Sequence, residues 1–137
     1  MNGFSELRLV QEAQTRSVAP LRHALLTFCE ALRVRGDAVD DIVTAAGEAL
    51  ANAVEHAYKR QPPGVPTVEL HARFERGDLA LDIIDRGTFI EREPIPWRGF
   101  GLRIMRAICA QMTVDTSDGT RVRMHFSEVP LKVNDSH

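Results

Sequence analysis

Glu48, Asn52, Glu55 and Lys59 recur at a spacing that a helix brings onto one face. A carboxylate and a carboxamide one turn apart share this face, and the amide of Asn52 offers a neutral oxygen to a hard cation. The ordinary reading of such a stripe is a solvated helix face. Its neighbours speak against that. Thr44, Ala45, Gly47 and Ala51 flank it where long charged side chains are usual. Gly47 alone costs about 1 kcal/mol of helix propensity relative to alanine. Small residues around Glu48 and Asn52 leave room for something to dock. Three further motifs share this character: Asp85-Arg86-Gly87, then Gly99-Phe100-Gly101-Leu102, and more weakly Gly119-Thr120. Each is weak alone, and Gly99 with Gly101 completes neither a dinucleotide fingerprint nor a Walker loop.

The elements that must position these residues follow from hydrophobic periodicity. A short strand is predicted at Leu7–Val10. Thr15 and Ser17 are candidate caps of a first helix, Pro20 suits an early helical position, and Val18, Leu21, Leu25, Phe28 and Leu32 form its stripe. Gly36 and Asp37 break it. A second helix spans Asp40 to Tyr58 and buries Ile42, Val43, Ala46, Ala49, Leu50, Ala53, Val54 and Ala57. Three prolines and a glycine between Gln61 and Pro66 end it. Val68, Leu70, Ala72 and Phe74 alternate with polar residues. Gly77-Asp78 is the expected turn, and Leu79, Leu81 and Ile83 continue the pattern. Asp85 extends that buried face, so a carboxylate emerges at its edge. A loop to Arg98, a third helix over Gly101–Gln111, and strands at Met112–Thr116 and Arg121–Phe126 complete the order β, α, α, β, β, α, β, β. That order predicts an α+β fold, a two-layer sandwich with helices on one face of a mixed, mainly antiparallel sheet.

Composition narrows the function. The chain has 137 residues, 44% hydrophobic and 26% charged, which is the profile of one globular domain. A net charge of −2 gives no electrostatic case for direct nucleic-acid binding. Two cysteines, Cys29 and Cys109, exclude a disulfide scaffold and a four-cysteine zinc site. They read as buried apolar residues of a reducing compartment. No segment has the about 18 apolar residues of a membrane span, and Glu6 and Arg8 interrupt any signal pattern. A cytoplasmic domain over 1–128 with a polar, frayed tail over 129–137 is expected.

The motifs, in this order, resemble the ATP-binding domain shared by gyrase, histidine kinases, a heat-shock chaperone and MutL-type repair proteins (the GHKL or Bergerat fold). Within it the likeness is to the bacterial anti-sigma-factor serine/threonine kinases. It covers nearly the whole chain and is most specific in GEALANAVEHAY, Gly47 to Tyr58. The resemblance implies ATP and Mg2+ as ligands. It implies Asn52 as the metal-binding asparagine, Asp85 as the acceptor of the adenine amine, and Gly87 as the close backbone approach to the base. Gly99 and Gly101, with Leu102 in the same motif, would present backbone N–H groups to phosphates at a helix start. Thr120 would complete the adenine pocket, and Glu48 would orient or deprotonate the attacking hydroxyl. It further implies a homodimer, with a sigma factor and an anti-sigma antagonist as partners.

Two departures bear on turnover. Phe89 stands where the family's first glycine box usually has a second glycine. The lid over 88–98 has no lysine, which leaves Arg92 and Arg98 as its cations; Arg98 reads as a phosphate ligand or as a solvated charge. The alternative to a kinase is therefore an ATP-dependent module that sequesters a partner without phosphotransfer, or a hydrolytic ATPase of the same fold. The five histidines form no recognisable ligand set.

Overall fold

Alternating apolar and polar residues build five strands, β1 (Ser5–Glu12), β2 (Thr67–Glu75), β3 (Asp78–Asp85), β4 (Gln111–Asp115) and β5 (Thr120–Phe126). Two helices precede β2, α1 (Thr15–Ala31) and α2 (Gly36–Arg60). The computed structural model describes residues 3–60, 66–85, 108–115 and 119–133, the side chains of 56–60 excepted. The lid and most of the helix expected over Gly101–Gln111 lie outside the described residues. The strands form one sheet in the order β1-β2-β3-β5-β4, and all four ladders are antiparallel. The expected mixed, mainly antiparallel sheet is thus wholly antiparallel among the described strands.

The period of two separates the faces. Leu70 and Ala72 of β2, Leu81 and Ile83 of β3, and Val122 and Met124 of β5 are buried on one side. They form a single core with Leu21, Leu25 and Cys29 of α1 and with Ile42, Ala46, Ala49, Leu50 and Ala53 of α2. The other face is dressed with charge. Arg123 donates twice to Asp82, at 2.8 and 2.9 Å, across β5 and β3. His71 Nε2 lies 2.6 Å from Glu69 Oε2. These pairs keep the open face polar.

Local details correct several expectations. Neither Thr15 nor Ser17 caps α1; the cap position is Gln14, with no side-chain bond, and both hydroxyl residues fall in the first turn. Pro20 lies inside the helix, where it has no N–H to donate to the carbonyl one turn back. The end of α1 is a Schellman motif: Val34 N–H donates to Cys29 O at 3.1 Å and Arg33 N–H to Glu30 O at 3.0 Å. Arg33 takes the left-handed position usually given to glycine, with φ 63°. Gly36 and Asp37 do not end a helix but begin α2. Arg35 clamps the Asp37 carboxylate at 2.8 and 2.9 Å and holds its pKa down to about 2. A negative charge in the first turn also suits the helix dipole.

The β2–β3 turn is Arg76-Gly77, with φ of 55° and 83°, and Glu75 pairs with Asp78. Positive φ at both residues fits the twist of a two-residue hairpin. The expected turn at Gly77-Asp78 is off by one residue.

The frayed end expected from Pro130 is also corrected as far as Lys132. Residues 127–132 form a strap across one pole of the molecule. Val129 N–H donates to Gly77 O at 2.7 Å, Arg35 N–H to Pro130 O at 2.9 Å, and Lys132 N–H to Arg33 O at 2.7 Å. A single bridge joins Val34 to Leu131. No helix among the described residues is long and apolar enough to cross a membrane.

Candidate functional site

Two residues singled out from sequence, 35 positions apart by number, meet at the end of the sheet. Asp85 closes β3, Thr120 opens β5, and the antiparallel register sets them directly opposite each other. Both are 2% exposed. They lie on the face that carries Ile83 and Val122, which is the side covered by helices. A carboxylate and a hydroxyl therefore sit side by side in an otherwise apolar layer. Asp85 makes a polar or electrostatic contact of its own. Its other cross-strand neighbour, Val68 on β2, is fully buried and apolar.

The other pair, Glu48 and Asn52, is carried by α2, whose first turns are anchored at the opposite end of β3. Ala38 and Ile42, early in α2, share a cavity wall with Phe126. Phe126 is opposite Leu79, at the start of β3. α2 packs on β3 and β5 as well as on α1. From that anchor α2 advances about 15 Å between Ile42 and Asn52, and β3 advances about 20 Å between Leu79 and Asp85. Glu48 and Asn52 follow that anchor by about two and three helical turns. Both are half-buried. Among the described residues Glu48 has no ion-pair partner.

The buried face of α2 matches the expected arc, with two adjustments. Ala45, expected beside the polar stripe, is fully buried, and Val43 is only half-buried. The room expected beside Gly47 is used by the protein itself. A Cβ at Gly47 would lie 3.0 Å from Arg22 Nε and 3.1 Å from Arg22 Cδ. The bare helix backbone is thus a seat for an arginine of α1. Sequence reasoning missed Arg22, because nothing along the chain says which α1 residue crosses α2 at that level.

Gly87, Arg98, Gly99, Gly101 and Leu102 lie outside the described residues, as do Phe89 and Arg92. Cys29 is 1% exposed, and burial pushes its thiol up to about 11, as expected of a packing residue. His71 and His125 sit on the charged outer face beside Glu69 and Asp78. No group of three metal-ligating side chains occurs among the described residues. A metal here would therefore need oxygens from its ligand and from water in addition to Asn52.

Comparison with known proteins adds to this geometry. A family described as the histidine kinase-like ATPase domain matches residues 11–126. An anti-sigma F factor of Clostridium botulinum (strain Eklund 17B / Type B) is 27% identical over 132 residues, covering 86% of this chain and 90% of that relative. An anti-sigma F factor of Halalkalibacterium halodurans is 34% identical over 86 residues, covering 63% of this chain and 58% of the relative. A crystal structure of RsbU and RsbW domains from Mycobacterium tuberculosis superposes with a TM-score of 0.69 at 19% identity. It covers 94% of this chain and 35% of that longer one, a likeness of fold.

Proposed function

We propose that this chain, which belongs to the histidine kinase-like ATPase domain family, binds magnesium-ATP and regulates a sigma factor. In this reading it also phosphorylates a serine or threonine of a small antagonist protein. The observation that carries the reading is the cross-strand pair of Asp85 and Thr120, buried together at the end of the sheet. The names of the relatives, anti-sigma F factors, support the choice of partner class.

The chemistry follows from donor and acceptor types. Asp85 accepts from the exocyclic amine of adenine. Guanine has an oxygen there, which a carboxylate repels, so the pocket favours ATP over GTP. Thr120 supplies a hydroxyl beside it. Asn52 offers its amide oxygen to the cation. Bound magnesium would neutralise charge on the phosphate oxygens. Glu48, one turn before Asn52, takes the proton from the attacking hydroxyl. That oxygen forms its bond to the γ-phosphorus as the bond to the β–γ bridging oxygen breaks and ADP leaves. Phosphoryl transfer depends mostly on positioning and charge stabilisation, so one such carboxylate is sufficient.

Phe89 favours a second reading, in which nucleotide binding controls partner capture and no phosphate moves. One experiment separates the two. The full chain is incubated with γ-labelled ATP and proteins retained in an ATP-dependent pull-down. Label on a partner serine or threonine, lost in Glu48→Ala, supports the kinase. Retention with ATP but no labelled partner supports the capture module. A homodimer in the cytoplasm completes the proposal, and sedimentation of the purified chain tests its oligomeric part.

A further inference from the structure

Ser127, Val129 and Pro130 of the strap line one side of an open cavity of about 280 Å3 at the pole opposite Asp85. Ala38 and Ile42 of α2, Ile108, Phe126 of β5, and Val129 and Pro130 of the strap supply apolar walls. Asp41 lines the same cavity. Two acidic residues near the start of α2 thus differ in circumstance. Asp37 is clamped by Arg35. Asp41 has no cationic partner among the described residues, so its charge is available to whatever enters.

We propose that this cavity binds a small organic cation with an apolar body, of the arylalkylammonium type. The body would lie against Ile42, Phe126 and Val129, and the ammonium would meet Asp41. Ser127 lines the cavity with Asp41, and polar and apolar atoms share its exposed surface about equally, so a ligand with both an apolar body and a polar head suits it. The volume of about 280 Å3 is just below the range of about 300–1,000 Å3 for such sites, which limits the ligand to one ring and a short chain. The Phe126 ring adds attraction for a cation, whereas Asp41 repels an anion. The site is separate from the nucleotide end: Asp41 and Asn52 are about 16 Å apart along α2. It touches both α2 and the strap, so occupancy would tie the strap to the helix that carries Glu48. The strap is already under local tension, since Glu128 holds φ 51° there.

The test is an NMR titration of the full chain, without nucleotide, against phenethylammonium, 2-phenylethanol and phenylacetate. Saturable shifts at the amides of Asp41, Phe126 and Val129 with the ammonium are expected. Binding should be about tenfold weaker for the alcohol, weaker still for the acid, and about tenfold weaker for the ammonium in Asp41→Asn. Asp41 is exposed, so the variant keeps the fold, which its melting curve checks. No saturable shift at low-millimolar ammonium overturns the proposal. Equal binding of all three probes, or unchanged binding by Asp41→Asn, overturns it too. The nucleotide reading is untouched by any of these outcomes.

Discussion

Asp85→Asn isolates the adenine contact with little change of shape. The carboxylate is 2% exposed and faces Thr120 across the ladder, so its surroundings are packed and mostly apolar. Replacing a buried carboxylate by an isosteric amide relieves desolvation while altering the polar interaction that Asp85 already makes. The two effects oppose, and the melting temperature should move by only a few degrees. Nucleotide affinity is expected to respond differently. The variant can set its N–H2 against the adenine amine, donor to donor, or rotate its oxygen there and turn the N–H2 toward the partner the carboxylate had. A lost charged hydrogen bond is worth about 1.5–3 kcal/mol. The Kd for ATP should therefore rise by about 10- to 150-fold. Isothermal titration of wild type and variant with ATP and GTP reads this directly. The preference for ATP over GTP should also shrink. Unchanged ATP affinity in a variant with a wild-type melting curve would refute the assignment of Asp85 to the base.

The remaining predictions concern the scaffold. Arg33→Gly removes a side chain from a left-handed position at the end of α1 and should stabilise the chain by up to about 1 kcal/mol, or roughly 4 °C in Tm; a lower Tm would show that the Arg33 side chain outweighs its backbone strain. Gly47→Ala gains about 1 kcal/mol of helix propensity but forces the flexible Arg22 side chain to shift by a few tenths of an ångström. Chemical denaturation should find it neutral to stabilising, and the gain should be larger in an Arg22→Ala background; an equal effect in both backgrounds would contradict the seat. Cys29 has a folded pKa raised from 9.0 to about 11 by burial. Below pH 9 the thiol is protonated in both states and its contribution is complete; between about pH 9 and 11 only the unfolded thiol ionises, so stability falls as pH rises. Two pKa units correspond to about 2.7 kcal/mol, and Cys29→Ala should lose less stability than wild type across that interval, whereas identical alkaline limbs would sink the idea.

The main lines of the fold were legible because each element repeats a short-range rule. Leu21, Leu25 and Cys29 recur every four residues and are buried on α1. Leu79, Leu81 and Ile83 alternate and face the helices, and that pattern alone carries Asp85 to the buried side. The misplaced hairpin turn shows the limit. Moving the turn from Gly77-Asp78 to Arg76-Gly77 keeps Asp85 on the same face but changes its cross-strand partner from Leu70 to Val68. Composition favours glycine in such a turn but does not say which neighbour shares the positive φ, and here it is Arg76. Gly36 misled for a related reason: a glycine after a helix marks its end, and the same residue can begin the next. What was not legible depends on contacts between elements. The seating of Arg22 on Gly47 and the docking of the strap on Arg33, Arg35 and Gly77 are set by packing, and no periodicity records them.

The pairing of Asp85 with Thr120 was readable in part, since both ends of a hairpin-rich sheet were in hand, but their opposition required the β3–β5 register. Whether this end of the molecule holds a purine nucleotide is answered most directly by calorimetry of the purified chain with ATP and Mg2+. Saturable heat with a stoichiometry of about one nucleotide per chain, much weaker with GTP and diminished when Mg2+ is chelated, is the predicted result. Folded protein that takes up no adenine nucleotide with or without the cation would contradict it.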